Sequence, residues 1–236
     1  GGTTQSAVGW GRWIGGGRTA GRGVGYRVTW SGRMAGMETG RLEAFSDGVL
    51  AVAITLLALD LRVEATGHAS LVHQLGQRWP SFVAYVVSFF VIGVIWVNHH
   101  GLFALIERVD RVLLFENLVL LMFVVTMPFT TSTLAEFIPG GGSNARLAVL
   151  LYGISNIGMA FAFTAMLARI IGHGMLVHPV SPEVGRRAIR RFGLGTVAYP
   201  AATLLGLIWP PLILIAMGAL AGYYMTEHTQ ILPSAI

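Results

Sequence analysis

The sequence predicts an all-α membrane protein with six transmembrane helices. Of its 236 residues, 54% are hydrophobic and only 11% charged, whereas soluble domains carry about 25% charged residues. The mean hydropathy is +0.66. The apolar residues are gathered into long runs, and a helix needs about 20 of them to cross a bilayer. This combination excludes a soluble globular domain, and it excludes intrinsic disorder of the whole chain, which requires low hydrophobicity and high charge.

Residues 1–37 precede the apolar runs and contain 12 glycines, five arginines (Arg12, Arg18, Arg22, Arg27, Arg33) and no acid. They lack hydrophobic periodicity and any run long enough for a signal-peptide core, so a disordered Gly/Arg-rich tail is expected there. Residues 38–230 form the expected transmembrane domain. The first span covers Leu42 to Val63, the second Pro80 to Asn98, the third Val112 to Ala135 and the fourth Leu147 to Ile171. Residues 192–226 are 35 residues without a charge, too long for one span, and Trp209-Pro210-Pro211 divides them into the fifth and sixth.

Arginine sets the orientation. The chain has 16 arginines and no lysine. With the N-terminus inside, 13 of them fall on inner segments and only Arg62, Arg78 and Arg146 on outer ones, a strong positive-inside bias that makes both termini cytoplasmic. Removing the tail leaves 11 arginines against 11 acids, so the high isoelectric point is no sign of nucleic-acid binding, and none is expected. Trp79, Tyr85, Trp96, Trp209, Tyr223 and Tyr224 lie near span ends, as interfacial anchors do. Abundant Gly and Ala with arginine in place of lysine suggest a GC-rich coding sequence, hence a bacterial cell membrane.

Catalytic and metal chemistry find little support. With no cysteine, thiolate sites and disulfides are excluded. No serine sits in a Gly-x-Ser-x-Gly context. His99 and His100 are adjacent, so on a helix they point about 100° apart and cannot chelate one ion together. Gly140-Gly141-Gly142 has neither a preceding strand nor a following lysine, as a phosphate loop would require. The expectation is no enzyme, no metal and no cofactor.

Two features of the first span are informative. Asp47 lies about 9 Å along a helix from Arg41, and a carboxylate inside a span is costly without partners. Either Ser46 or Asp47 caps a helix that starts late, at Gly48, or Asp47 belongs to a buried polar cluster. A two-helix hairpin returns Asn98-His99-His100 to the level of Ser46 and Asp47, and Glu116 and Asn117 of the third span start from the same side. The second feature is the aliphatic face formed by Val52, Leu56 and Leu59, spaced four and three residues apart with Thr55 beside them, a pattern that usually means packing or lipid contact.

The stretch Arg41-Leu-Glu-Ala-Phe45-Ser46-Asp47, with Thr55-Leu56-Leu57 after it and Trp96-Val-Asn98-His99-His100 on the second span, resembles the signature of the transmembrane protein 175 family of potassium-permeable channels. The resemblance covers about residues 41–226, one six-helix repeat. It implies a homotetrameric channel with four-fold symmetry, whose first helices line the pore. In the family, aliphatic residues five, nine and twelve positions after the signature Asp form the constriction, which places Val52, Leu56 and Leu59 there, with Thr55 near the middle. The first of these is often Ile in the family and is Val here. Arg41, Phe45, Ser46, Asp47, Trp96, Asn98, His99 and His100 then have a structural role as a polar network. No Thr-Val-Gly-Tyr-Gly filter occurs in the chain, so modest selectivity for potassium over sodium is expected, set by ring size and dewetting. Potassium and other monovalent cations would be the permeant species. A proton- or ion-coupled secondary transporter is the alternative, motivated by the ionisable residues within spans.

Overall fold

A computed structural model of the chain describes residues 30–61 and 70–226, with side chains described for 39–61 and 70–225. Residues 1–29 of the tail, Arg62, His68, His228 and the expected domain end at 230 lie outside the described residues. The described residues form eight α-helices: α1 (Trp30–Leu57), α2 (Leu71–Gln77), α3 (Trp79–Phe103), α4 (Arg111–Phe137), α5 (Gly142–Gly172), α6 (Pro182–Gly193), α7 (Gly195–Ile208) and α8 (Leu212–Thr226). A single 3-10 turn, Ala58–Asp60, extends α1.

The first helix begins well before Leu42. Trp30–Met37, which composition assigned to the tail, is helical, and Arg33, Met34 and Ala35 within it are good helix formers. The capping alternative for Ser46 and Asp47 therefore falls, because both lie in the interior of α1. Pro128 and Pro200 lie inside α4 and α7 without ending them. Neighbouring helices and hydroxyl side chains make such prolines tolerable in apolar helices. Around Pro128 the hydroxyls of Thr126, Thr130 and Thr133 each donate back to a carbonyl three or four residues earlier.

The expected division near Trp209 is present. α7 ends at Ile208, and Leu212 N–H donates to the Trp209 carbonyl at 2.9 Å across the turn into α8. Among the described residues, five stretches are long and apolar enough to cross a membrane: Thr39–Asp60, Trp79–Phe103, Arg111–Phe137, Gly142–Gly172 and Pro182–Ile208. The sixth, Leu212–Met225, is a shorter apolar helix. The fifth is longer than composition suggested because the arginine-bearing α6 runs through Leu194, itself in helical conformation, into α7.

Helix α5 lies centrally, packed most extensively against α4 and α7. Close approach needs glycine at two of its contacts. A Cβ on Gly153 would collide with the Thr203 side chain of α7, and one on Gly158 with the Phe123 ring of α4. Small residues at such crossings let van der Waals packing hold helices together where lipid removes the hydrophobic incentive. The Gly141 and Gly142 backbones adopt φ of +60° and +70°, a region that favours glycine, so this glycine run serves the α4–α5 turn. Helix α1 packs on α4 and α3, burying Leu50, Ala53 and Leu57. Helix α8 packs on α3 and α7.

Candidate functional site: the polar clamp on the first helix and its open face

Ser46, in the middle of α1, is completely buried. Its hydroxyl donates to the Leu42 carbonyl at 2.9 Å and accepts from Asn117 Nδ2 of α4, also at 2.9 Å. Asn117 Oδ1 lies 2.9 Å from His99 Nε2 of α3. The amide oxygen can only accept, so the imidazole donates through Nε2. The result is a one-way chain, His99 to Asn117 to Ser46 to the Leu42 backbone, across three helices. His99, Asn117 and Ser46 are all fully buried. The His99 ring is also stacked on Phe103, with centroids 4.1 Å apart.

A second layer lies closer to the surface. Trp96 Nε1 donates to Asp47 Oδ1 at 3.1 Å. His100 Nδ1 is 2.9 Å from Glu43 Oε1 and 3.9 Å from Asp47 Oδ2, and its ring stacks on that of Trp96. Glu43 and Asp47 share a face of α1 because they are four residues apart. Their carboxylates and His100 lie within 4.8 Å of one another, the one group of such donor types found among the described residues. The His100–Glu43 contact accounts for this closeness without an ion.

The structure thus brings together Ser46, Asp47, Trp96, His99 and His100. Asn98 does not join them. It sits one residue, or 100° of helix, from His99, donates to its own Val94 carbonyl at 2.8 Å, and faces a small cavity shared with Tyr199 and Tyr224. Arg41 and Phe45 lie on the exposed side of α1. Glu116 and Asn117 part in the same way: Asn117 enters the chain, whereas Glu116 has Arg169 and Asp110 as its charged neighbours.

Four residues unnamed by sequence reasoning take part in polar contacts of this kind: Glu43 in the clamp, and Tyr152, Ser88 and Thr131 in a separate network. The partner of Glu43 is on another helix. Tyr152 of α5 is fully buried, and its hydroxyl lies 3.0 Å from Ser88 Oγ, which in turn accepts from Thr131 at 2.8 Å. This network joins α3, α4 and α5 deep in the bundle. Hydroxyl-bearing residues occur throughout apolar helices, so nothing in the spacing marks these three.

Where α4 begins, Asp110 caps the helix by accepting from Leu113 N–H at 2.8 Å. It also takes a bidentate contact from Arg169 of α5, at 3.3 Å from Nε and 2.6 Å from Nη2. The Arg169 hydrogen bonds, followed by the Leu113 amide, hold the Asp110 carboxyl down to about 2. A carboxyl lowered on folding adds stability that is present above its ordinary range and is lost as pH falls toward the folded value. Asp110→Asn is therefore expected to lower the melting temperature at pH 7, with the difference from wild type shrinking below about pH 4 and vanishing only below about pH 2. A pH series of thermal melts checks this.

Opposite the clamp, α1 is open. Arg41, Phe45, Gly48, Val52, Thr55 and Leu59 are all exposed in the single chain, as is Leu56. Phe45, Val52, Leu56 and Leu59 are 52%, 56%, 41% and 57% accessible. The six positions from 41 to 59 alternate steps of four and three residues, the spacing at which helices pack along a shared seam. Thr55 turns its hydroxyl onto the Val52 carbonyl at 2.8 Å.

Fold and clamp together define an all-helical membrane protein whose first helix is fixed on its polar side and left open on its aliphatic side. The family model for the endosomal/lysosomal potassium channel TMEM175 matches residues 41–128, which include the clamp. A potassium channel from Streptomyces collinus is 47% identical over 189 residues, covering 79% of this chain and 91% of the relative. The bovine endosomal/lysosomal proton channel TMEM175 is 30% identical over 174 residues, 70% of this chain but 36% of that protein. Among solved structures, the crystal structure of a lysosomal potassium-selective channel TMEM175 homologue from Chamaesiphon minutus superposes with a TM-score of 0.71 at 34% identity, covering 80% of this chain and 97% of that one. The chain belongs to the TMEM175 family. Its relatives are named channels, and it is not an enzyme.

Proposed function

We propose that the protein is a potassium-permeable cation channel of the bacterial cell membrane, leak-like and modestly selective for potassium over sodium. Four copies assemble about an axis, and the open face of α1 from each lines the path. Val52, Leu56 and Leu59 form successive aliphatic rings, with Thr55 between the first two, and the rings restrict conduction by size and by excluding water. A cation must shed part of its hydration shell to pass, and potassium does so more readily than sodium. The clamp of Ser46, Asp47, Trp96, His99 and His100 sets the rotation of α1 and so determines which residues face the axis. In this reading six helices cross the membrane, both termini are cytoplasmic, and no cofactor takes part.

The observation that carries the proposal is the four-and-three stripe of α1 left uncovered by its own chain, on the helix whose other side is bonded through polar groups to α3 and α4. The names of the relatives and the arginine distribution support it. A coupled transporter is not favoured: the relatives are named channels, and the helices continue through Pro128 and Pro200 where a transporter site would call for broken ones. The test is the reversal potential of purified protein in a planar bilayer with potassium on one side and sodium on the other. Unitary currents reversing toward the potassium equilibrium potential are expected. Saturable, proton-linked uptake without unitary currents would overturn the channel reading.

A further inference from the structure

Helix α6 carries two faces of opposite character. At 100° per residue, Gly185, Ala188 and Phe192 fall on one side, and all three are buried against the protein. Arg186, Arg187, Arg190 and Arg191 fall on the other, within an arc of about 140°. Arg186, Arg187 and Arg190 are exposed. The acid among them, Glu183, meets Arg187 at 3.3 Å, but both side chains are 76% accessible, so the pair is weak and easily exchanged for another anion.

The position of this helix along the membrane normal follows from what it is joined to. Pro182–Ile208 forms one apolar stretch of 27 residues, about 40 Å at 1.5 Å per residue, against about 30 Å of hydrocarbon. Counting about 20 residues back from Ile208 places the hydrocarbon boundary near Ile189. Arg190 and Arg191 then sit at that boundary and Arg186 and Arg187 just beyond it. That is the depth of lipid phosphates, whichever leaflet is involved. Phosphate takes bidentate hydrogen bonds from the guanidinium fork.

We infer that the arginine face of α6 is a binding surface for anionic lipid headgroups of the surrounding bilayer, with Arg186, Arg187 and Arg190 as its contacts. It rests on Pro182–Ile208 entering the membrane and not on ion conduction, so its failure leaves the channel reading intact. Each arginine near an anionic surface contributes about fivefold in binding, and the three together roughly a hundredfold.

The test is thermal unfolding of the full-length protein in neutral detergent, titrated with phosphatidylglycerol or with phosphatidylcholine of the same acyl chains. Phosphatidylglycerol is expected to raise the wild-type melting temperature, and phosphatidylcholine is not. In Arg186→Gln/Arg187→Gln/Arg190→Gln the half-saturating phosphatidylglycerol concentration should rise about a hundredfold, with Arg186→Gln alone giving about fivefold should the triple variant not fold. The matching triple lysine variant should recover part of the response. Equal titrations for wild type and the glutamine variants would overturn the assignment. So would equal stabilisation by the two lipids, or full stabilisation by inorganic phosphate in place of lipid.

Discussion

Leu56→Asn is expected to raise potassium current about tenfold and to move the reversal potential toward zero. The proposed ring is aliphatic and has no carbonyl cage, so its barrier comes from excluding water. Asparagine keeps the branched outline of leucine with less bulk, and four of them in the proposed ring bring hydrogen-bonding groups there and let water persist. Lowering the barrier by about 1.4 kcal/mol is a tenfold change in rate. The fold should tolerate the change, because Leu56 is 41% accessible in the single chain and contributes little to its core. The same wetting admits sodium with more of its shell in place, so conductance and selectivity should move in opposite directions. An unchanged single-channel current in a correctly assembled Leu56→Asn protein would remove Leu56 from the constriction.

Asn117→Leu should be the most damaging single change to assembly. Asn117 is fully buried and serves both Ser46 and His99. Leucine keeps the branched outline but is bulkier, leaves the His99 N–H without an acceptor and removes the donor to Ser46. Each buried group so orphaned costs about 1–3 kcal/mol, although polar pairs in membrane helices average nearer 0.6 kcal/mol. A loss of about 2 kcal/mol is expected from the two together, read as a lowered melting temperature and a shift from the proposed tetramer to smaller species on size exclusion. Asp47→Ala breaks only the partly exposed outer layer and should cost less. If Asn117→Leu assembles and melts like wild type, the inner chain of hydrogen bonds does not hold α1.

Hydropathy and hairpin geometry made much of this legible. An acid inside an apolar run required partners, and the return of the second helix placed His99 and His100 within reach of Ser46 and Asp47. Rotation was not legible. Asn98 and His99, or Glu116 and Asn117, differ by a single helical step, and which of each pair turns toward α1 depends on how α3 and α4 pack on it. The Ser88–Thr131–Tyr152 network has no sequence signature, because hydroxyl groups can satisfy themselves on their own helix backbone and leave no periodic trace. Helix α1 extends into the glycine-rich segment, whose composition masks the helix formers from Arg33 to Ala35, while its apolar span starts near Leu42, at Thr39. The continuous run of α6 into α7 was hidden by the arginines at the membrane edge.

The lack of native cysteine makes one measurement especially direct. Single cysteines at Val52, Leu56 and Ala53 can be introduced with no background, and each channel exposed to a charged methanethiosulfonate reagent during recording. Val52 and Leu56 lie on the open face of α1, and Ala53, only 1% accessible, lies on the buried one. The expected result is rapid, irreversible change of potassium current for Val52→Cys and Leu56→Cys and none for Ala53→Cys. Modification at Ala53→Cys with no effect at the other two, or no effect at any while potassium current persists, would contradict a conduction path lined by the open face of the first helix.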